Sequence, residues 1–170
     1  IRLVPISEPG TNELVFRSSV PAGDAMPTVL IADDSPIDRK LVQGLLSKNA
    51  DWIIHVAVDG AEALGRVVEL TPDLVVTDMQ MPEMNGLELV TAMRQQFPQI
   101  PVVLMTAQGS EDLAVQALQA GAASYVPKRS LAMELNSTVR RLLTAASDVR
   151  AQTALMNRLE RRVETYRVET

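Results

Sequence analysis

Five short apolar runs recur along this chain, and each gives way within a residue or two to polar residues and then to a stretch that reads as helix. The runs are VLIA (29–32), WIIHVAV (52–58), the LVV of DLVVTD (73–78), PVVLMT (101–106) and SYV (124–126). Uninterrupted apolar residues rich in β-branched types are the pattern of strands buried on both faces. The helices between them are marked by their ends. Ser35-Pro36 supplies an N-cap and a first-turn proline, and Ile37, Leu41, Val42, Leu45 and Leu46 give that helix an apolar face. Asp59 with Glu62 three residues on resembles a capping box opening AEALGRVVEL. A third helix is predicted from about Gly86 to Phe97. Ser110 is the expected cap of EDLAVQALQA, with Gly121 as its C′ residue.

Strands alternating with helices predict an α/β fold with a parallel sheet, right-handed crossovers and helices on both faces. The expected order is the doubly wound, flavodoxin-like 2-1-3-4-5, which sets strands one and three side by side. With 170 residues, 46% hydrophobic and 22% charged, the chain has room for one core-bearing domain plus appendages. A net charge of −5 argues against a nucleic-acid binder, which would carry a basic face. The absence of cysteine excludes disulfides, thiolate metal sites and cysteine nucleophiles. No apolar run approaches a membrane span, and the start of the chain lacks a signal-peptide pattern. No glycine-rich phosphate loop follows the first strand, which argues against a dinucleotide or triphosphate site. Beginning at Ile1 without a methionine, the sequence is expected to be a fragment of something longer. Residues 1–27 read as an N-terminal extension or linker, in which IRLVPIS and ELVFRSS form either a hairpin or the tail of a preceding domain.

The strand ends carry the chemistry. In an open α/β sheet, ligands bind where the carboxyl ends of the strands face a crevice. Asp33 and Asp34 follow the first strand, Asp78 ends the third, Thr106 ends the fourth and Lys128 follows the fifth. Each has a plain reading when taken singly: an acidic helix entrance, a strand-end aspartate or threonine, a solvated lysine. Three carboxylates at one edge repel one another unless a cation sits among them. An oxygen-only donor set suits a hard ion, most plausibly Mg²⁺ with several waters retained. A divalent cation, an ammonium and a hydroxyl converging on one carboxylate would neutralise bound phosphate. An aspartate carboxylate can itself be the nucleophile, forming an acyl phosphate.

Residues 28–146 resemble the receiver domain of two-component response regulators. VLIADDSP, DLVVTDMQMPEMNGLEL, PVVLMTA and GAASYVPK match that family in order and spacing. The resemblance implies a cytoplasmic, phosphorylation-switched signalling domain whose Asp78 accepts phosphate from a histidine kinase or phosphotransfer protein. Asp34 would then bind Mg²⁺ directly beside Asp78, with Asp33 nearby and the backbone carbonyl of Gln80 as the remaining protein ligand. Lys128 would hold the phosphoryl oxygens, Thr106 would turn inward to them, and Tyr125 would follow from exposed to buried. Gln80 and Gln108 flank the site and would tune hydrolysis of the acyl phosphate. One departure concerns the lysine, which in the family usually precedes a cis-proline. Here Lys128 is followed by Arg129, whose peptide bond is expected trans, and the proline, Pro127, comes before. His55, the single histidine, reads as a half-buried strand residue rather than a phosphotransfer group.

From Leu131 almost to the C-terminus there is neither glycine nor proline. Leu135, Leu142, Val149, Met156 and Val163 recur every seventh residue; Leu131, Ala145, Leu159 and Tyr166 hold the second apolar position, with Thr138 and Gln152 interrupting it. That pattern predicts a coiled coil and a homodimer through residues 131–168, with 147–170 leading toward a missing output domain. The alternative is an ordinary fifth helix ending near Ala146, then a charged linker. Two other function classes compete with a signalling switch. A Mg²⁺-dependent phosphatase with an aspartate nucleophile usually keeps a second aspartate two residues later, where this chain has Gln80. A degenerate scaffold usually loses an acidic or lysine position, and none is lost here. The expectation is therefore a domain that is not an enzyme beyond its own phosphoryl transfer and dephosphorylation, with no direct nucleic-acid or membrane binding.

Overall fold

The computed structural model describes residues 26–107 and 111–168. In chain order they form β1 (Thr28–Ala32), α1 (Pro36–Leu46), β2 (Ile53–Ala57), α2 (Gly60–Leu70), β3 (Leu74–Asp78), α3 (Gly86–Gln96), β4 (Val102–Thr106), α4 (Glu111–Ala120), β5 (Ser124–Pro127), a 3₁₀ turn (Lys128–Ser130) and α5 (Leu131–Val168). The sheet is parallel throughout, in the order β2-β1-β3-β4-β5. The expected hairpin at the N-terminus, the cap at Ser110 and the flanking Gln108 lie outside the described residues.

Successive residues of a strand face opposite sides of the sheet, so each apolar run feeds two cores at once. Val29, Ile31, Leu74, Val76, Val103 and Met105 pack beneath α1 and α5. Leu30, Val75, Val102 and Leu104 pack on the other face, against Leu89, Val90 and Met93 of α3. β3 and β4 are buried along their whole length, which is why their sequences show no polar alternation. His55 lies half-buried on the edge strand β2.

The helix ends follow local chemistry. The Ser35 hydroxyl accepts from the Asp38 N–H, and Pro36 opens α1. Asp59 accepts from the Glu62 N–H at 2.7 Å, but the Glu62 carboxylate takes the Val58 N–H rather than the N-cap's own. The reciprocal capping box belongs instead to α3, where Asn85 and Glu88 each accept from the other's backbone N–H. Gly121 ends α4 at φ +111°, with its N–H on the Leu118 carbonyl and the Ala122 N–H on that of Ala117. That is the Schellman arrangement expected of a C′ glycine.

The apolar face of α1 needs correction. Val42, Leu45 and Leu46 are buried, whereas Ile37 is 80% and Leu41 51% exposed. Adjacent helical positions differ by roughly 100°, so once Val42 points at the sheet, Leu41 must point along the surface.

Gly86 is needed for space. A Cβ there would lie 2.3 Å from the Asp78 carbonyl oxygen and 2.8 Å from the Met79 Cα, both backbone atoms. Gly86→Ala should therefore cost about 1–3 kcal/mol as overpacking, read from the urea midpoint; an unchanged midpoint would show that the loop yields freely.

α5 is one helix of 38 residues, so the alternative of a helix ending near Ala146 is set aside. Its buried face is Leu131, Leu135, Val139 and Leu143, not the heptad positions alone: Leu142 is only partly buried and Ala145 is exposed. The first turns thus serve the domain's own core. From Ser147 to Arg162 every side chain is exposed, including Val149, Met156 and Leu159. Two polar links hold α5 in place. Asn136 donates to the Leu45 carbonyl and accepts from Asn49, while Arg140 bonds Asn49 and lies 5.3 Å from the Trp52 ring centroid. Lower down, Arg150 meets Asp73 at 2.6 Å, and the other Asp73 oxygen takes the Thr28 N–H. Among the described residues, no helix is long and apolar enough to cross a membrane.

Candidate functional site

Sheet register explains why four distant segments meet. Ala32 pairs with Thr77, so Asp33 emerges beside Asp78. Asp78 pairs with Met105, which puts Thr106 one step on, and Thr106 pairs with Pro127, directly before Lys128. Strands of equal polarity end at the same edge, as the alternation of the sequence implied. Asp33, Asp78 and Thr106 are all buried, while Asp34 is exposed at the rim. One carboxylate oxygen from each of Asp33, Asp34 and Asp78 falls within 4.8 Å of the others.

Lys128 closes the cluster. Its Nζ lies 3.2 Å from Asp33 Oδ2, 3.2 Å from Asp78 Oδ1 and 2.7 Å from Asp38 Oδ2. Asp33 also accepts the Ser35 N–H at 2.8 Å, and its carbonyl accepts from the Arg39 guanidinium at 2.6 Å. Asp38 and Arg39 were not singled out from sequence; both sit on the first turn of α1, where their reach to the strand ends depends on side-chain direction rather than spacing. No peptide bond is cis among the described residues, and Lys128-Arg129 opens the 3₁₀ turn that leads into α5. With Arg129 rather than a proline after it, Lys128 still reaches the strand-end carboxylates.

Two further positions differ in detail from expectation. Tyr125 is half-buried against the α3–α4 side of the core rather than exposed, because its partner across the sheet is the fully buried Leu104. Gln80 is exposed on the loop two residues past Asp78.

The electrostatics suit a cation. Burial pushes the Asp78 carboxyl above the usual carboxylate range; Lys128 opposes the rise and Asp33 adds to it. Asp33 is likewise raised by burial, against the Ser35 N–H and Lys128. For Lys128, burial works against the charge, yet Asp38, Asp78 and Asp33 together hold its ammonium well above the ordinary lysine range. One ammonium faces three carboxylates, Asp33, Asp38 and Asp78, while Asp33, Asp34 and Asp78 form an all-oxygen donor set. That set fits a hard divalent ion.

A raised carboxyl pKa means that the native state binds more protons than the unfolded one. Stability contributed by protonated Asp78 is therefore lost as pH rises from the ordinary carboxylate range through its higher folded value. Asp78→Asn, which removes the buried charge, should raise the melting point of the metal-free protein at neutral pH. At a pH below the ordinary carboxylate range the two proteins should converge, since the wild-type carboxyl is then protonated in both folded and unfolded states. Thermal melts at the two pH values check this, and an Asn variant less stable at neutral pH would contradict it.

A response regulator receiver domain model matches residues 29–140. The chain belongs to the response regulator receiver domain family. Over 104 residues this receiver is 44% identical to a protein-glutamate methylesterase/protein-glutamine glutaminase of Nocardioides sp., covering 59% of this chain and 28% of that protein. Over 120 residues it is 39% identical to the hybrid signal transduction histidine kinase D of Dictyostelium discoideum, covering 69% of this chain and 8% of the kinase. The chain thus spans only a small part of either relative. Among solved structures, the Vibrio cholerae chemotaxis protein CheY4 is 31% identical with a TM-score of 0.64, covering 69% of this chain and 99% of that one. The receiver is a phosphorylation-switched module of two-component signalling.

Proposed function

We propose that Asp78 is the phosphoacceptor of this receiver and that the donor is the phosphohistidine of a histidine kinase or phosphotransfer protein. A carboxylate oxygen of Asp78 attacks phosphorus, the phosphorus–nitrogen bond breaks, and the imidazole leaves with the bonding pair. The product is an acyl phosphate on Asp78. The observation that carries this assignment is the placement of Asp78: a carboxylate 5% exposed at the strand edge, 3.2 Å from Lys128 and one register step from Thr106.

Asp33, Asp34, Asp78 and the backbone carbonyl of Gln80 would hold Mg²⁺, with Asp33 acting through water. That ion supplies charge neutralisation for phosphate entering an acidic pocket. Lys128 takes the phosphoryl oxygens on the opposite side. Thr106 reorients to donate its hydroxyl to them, and Tyr125, already half-buried, moves further in as Thr106 turns. The coupling is a two-state switch biased by a local change of charge. Beyond its own phosphoryl transfer and hydrolysis, this segment carries out no reaction of its own and passes the state onward. The exposed part of α5, carrying Val149, Met156 and Leu159 at heptad positions, pairs with a second copy as a parallel coiled coil.

The test is incubation with acetyl phosphate and Mg²⁺ followed by intact mass. Wild type should gain one phosphate and Asp78→Ala none, and chelating the divalent cation should suppress the gain. Steady turnover of diverse phosphomonoesters would instead favour a phosphatase.

A further inference from the structure

An ammonium group has three N–H donors, and at Lys128 three carboxylates lie within ion-pair distance. The two from the strand ends, Asp33 and Asp78, each stand 3.2 Å away. The shortest contact, 2.7 Å, goes to Asp38 on the first turn of α1. Asp38 is held there by the helix start itself, since its N–H donates to the Ser35 hydroxyl and Pro36 fixes the turn. The ammonium is thus already engaged on three sides, by hydrogen bonds to Asp33 and Asp38 and an ion pair with Asp78. A phosphoryl group on Asp78 presents new anionic oxygens that need those donors, and charge-assisted pairing with them requires an existing contact to be given up.

We propose that Asp38 is a positioning residue that competes with the phosphoryl group for Lys128, drawing the ammonium toward α1 and limiting how readily Asp78 takes phosphate. The proposal rests on Asp78 being the phosphoacceptor. It differs from the ordinary role of a first-turn acid, which complements the helix dipole and affects stability alone.

The experiment uses the full chain with Mg²⁺ and measures initial phosphate uptake against acetyl phosphate concentration by intact mass. Asp38→Asn should raise the apparent second-order rate about two- to fivefold, the equilibrium worth of one partly exposed ion pair. Asp38→Ser, which keeps a residue suited to a helix start, should show the same gain, and Asp38→Glu should return toward wild type. In a Lys128→Ala background, Asp38→Asn should give no gain, because the effect travels through the lysine. Uptake by Asp38→Asn at or below the wild-type rate would overturn the proposal. So would an equal gain without Lys128, a result a general charge effect would give. Wild type that takes no phosphate at all would instead bring down the assignment of Asp78, and this proposal with it.

Discussion

Lys128→Ala is expected to slow phosphate uptake at Asp78 by about 10²–10³-fold, the loss seen when one preorganised electrostatic contact to a developing charge is removed. The reason is local. Lys128 is the one ammonium among the described residues that reaches Asp78, and it also balances Asp33 and Asp38. Without it, the phosphate would approach a cluster of carboxylates with no ammonium among the described residues paired to Asp78. Lys128→Arg should recover part of the rate, because the charge is kept while a planar guanidinium replaces a compact donor. Rates from acetyl phosphate, read by intact mass, decide the matter. An Ala variant within a few-fold of wild type would mean that the metal alone carries the phosphate. Stability moves too, and with a defined sign. The folded lysine's raised pKa gives stability that is fully present below its unfolded value and lost as pH rises through the folded one.

The second large effect concerns the extension of α5. Met156→Glu with Leu159→Glu should weaken self-association by more than about 100-fold, since each burial of such a side chain in a coiled-coil seam contributes about 1.5–3 kcal/mol. Both side chains are exposed in the single chain and neither touches the receiver core, so the melting point of the receiver should hold steady. Sedimentation across a concentration series measures the change. Wild type that stays monomeric at high micromolar concentration, with or without phosphate on Asp78, would contradict the dimer. Arg150 is not part of that seam. Its contact with Asp73 ties the start of the extension to the sheet's amino edge, where β1 and β3 begin.

Much of this was legible in the residues, for physical reasons. Runs such as LVVTD and VVLMT, short, β-branched and bounded by turn residues, read as strands with both faces covered. The doubly wound order expected for such alternation is the one found. Once the strands end at a common edge, Asp33, Asp34, Asp78, Thr106 and Lys128 come together without further information. What escaped depends on rotation about a helix axis or on where a side chain reaches. Ile37 and Leu41 read as core because they are apolar at helical spacing, yet Val42 claims the buried direction. In α5 the sevenfold repeat was visible, but the four-residue stripe of Leu131, Leu135, Val139 and Leu143 packs on the sheet, leaving the repeat to the exposed part. Asp38 was not singled out, since nothing in its spacing reveals the reach of Lys128 from a segment 90 residues away.

The central claim is that Asp78, not Asp33 or Asp34, carries the phosphoryl group. Borohydride reduces an acyl phosphate to the alcohol and so marks the modified aspartate permanently. Peptide mapping after acetyl phosphate, Mg²⁺ and borohydride should find homoserine at position 78 and unmodified aspartate at 33 and 34. Homoserine at 33 or 34, with Asp78 intact, would contradict the account.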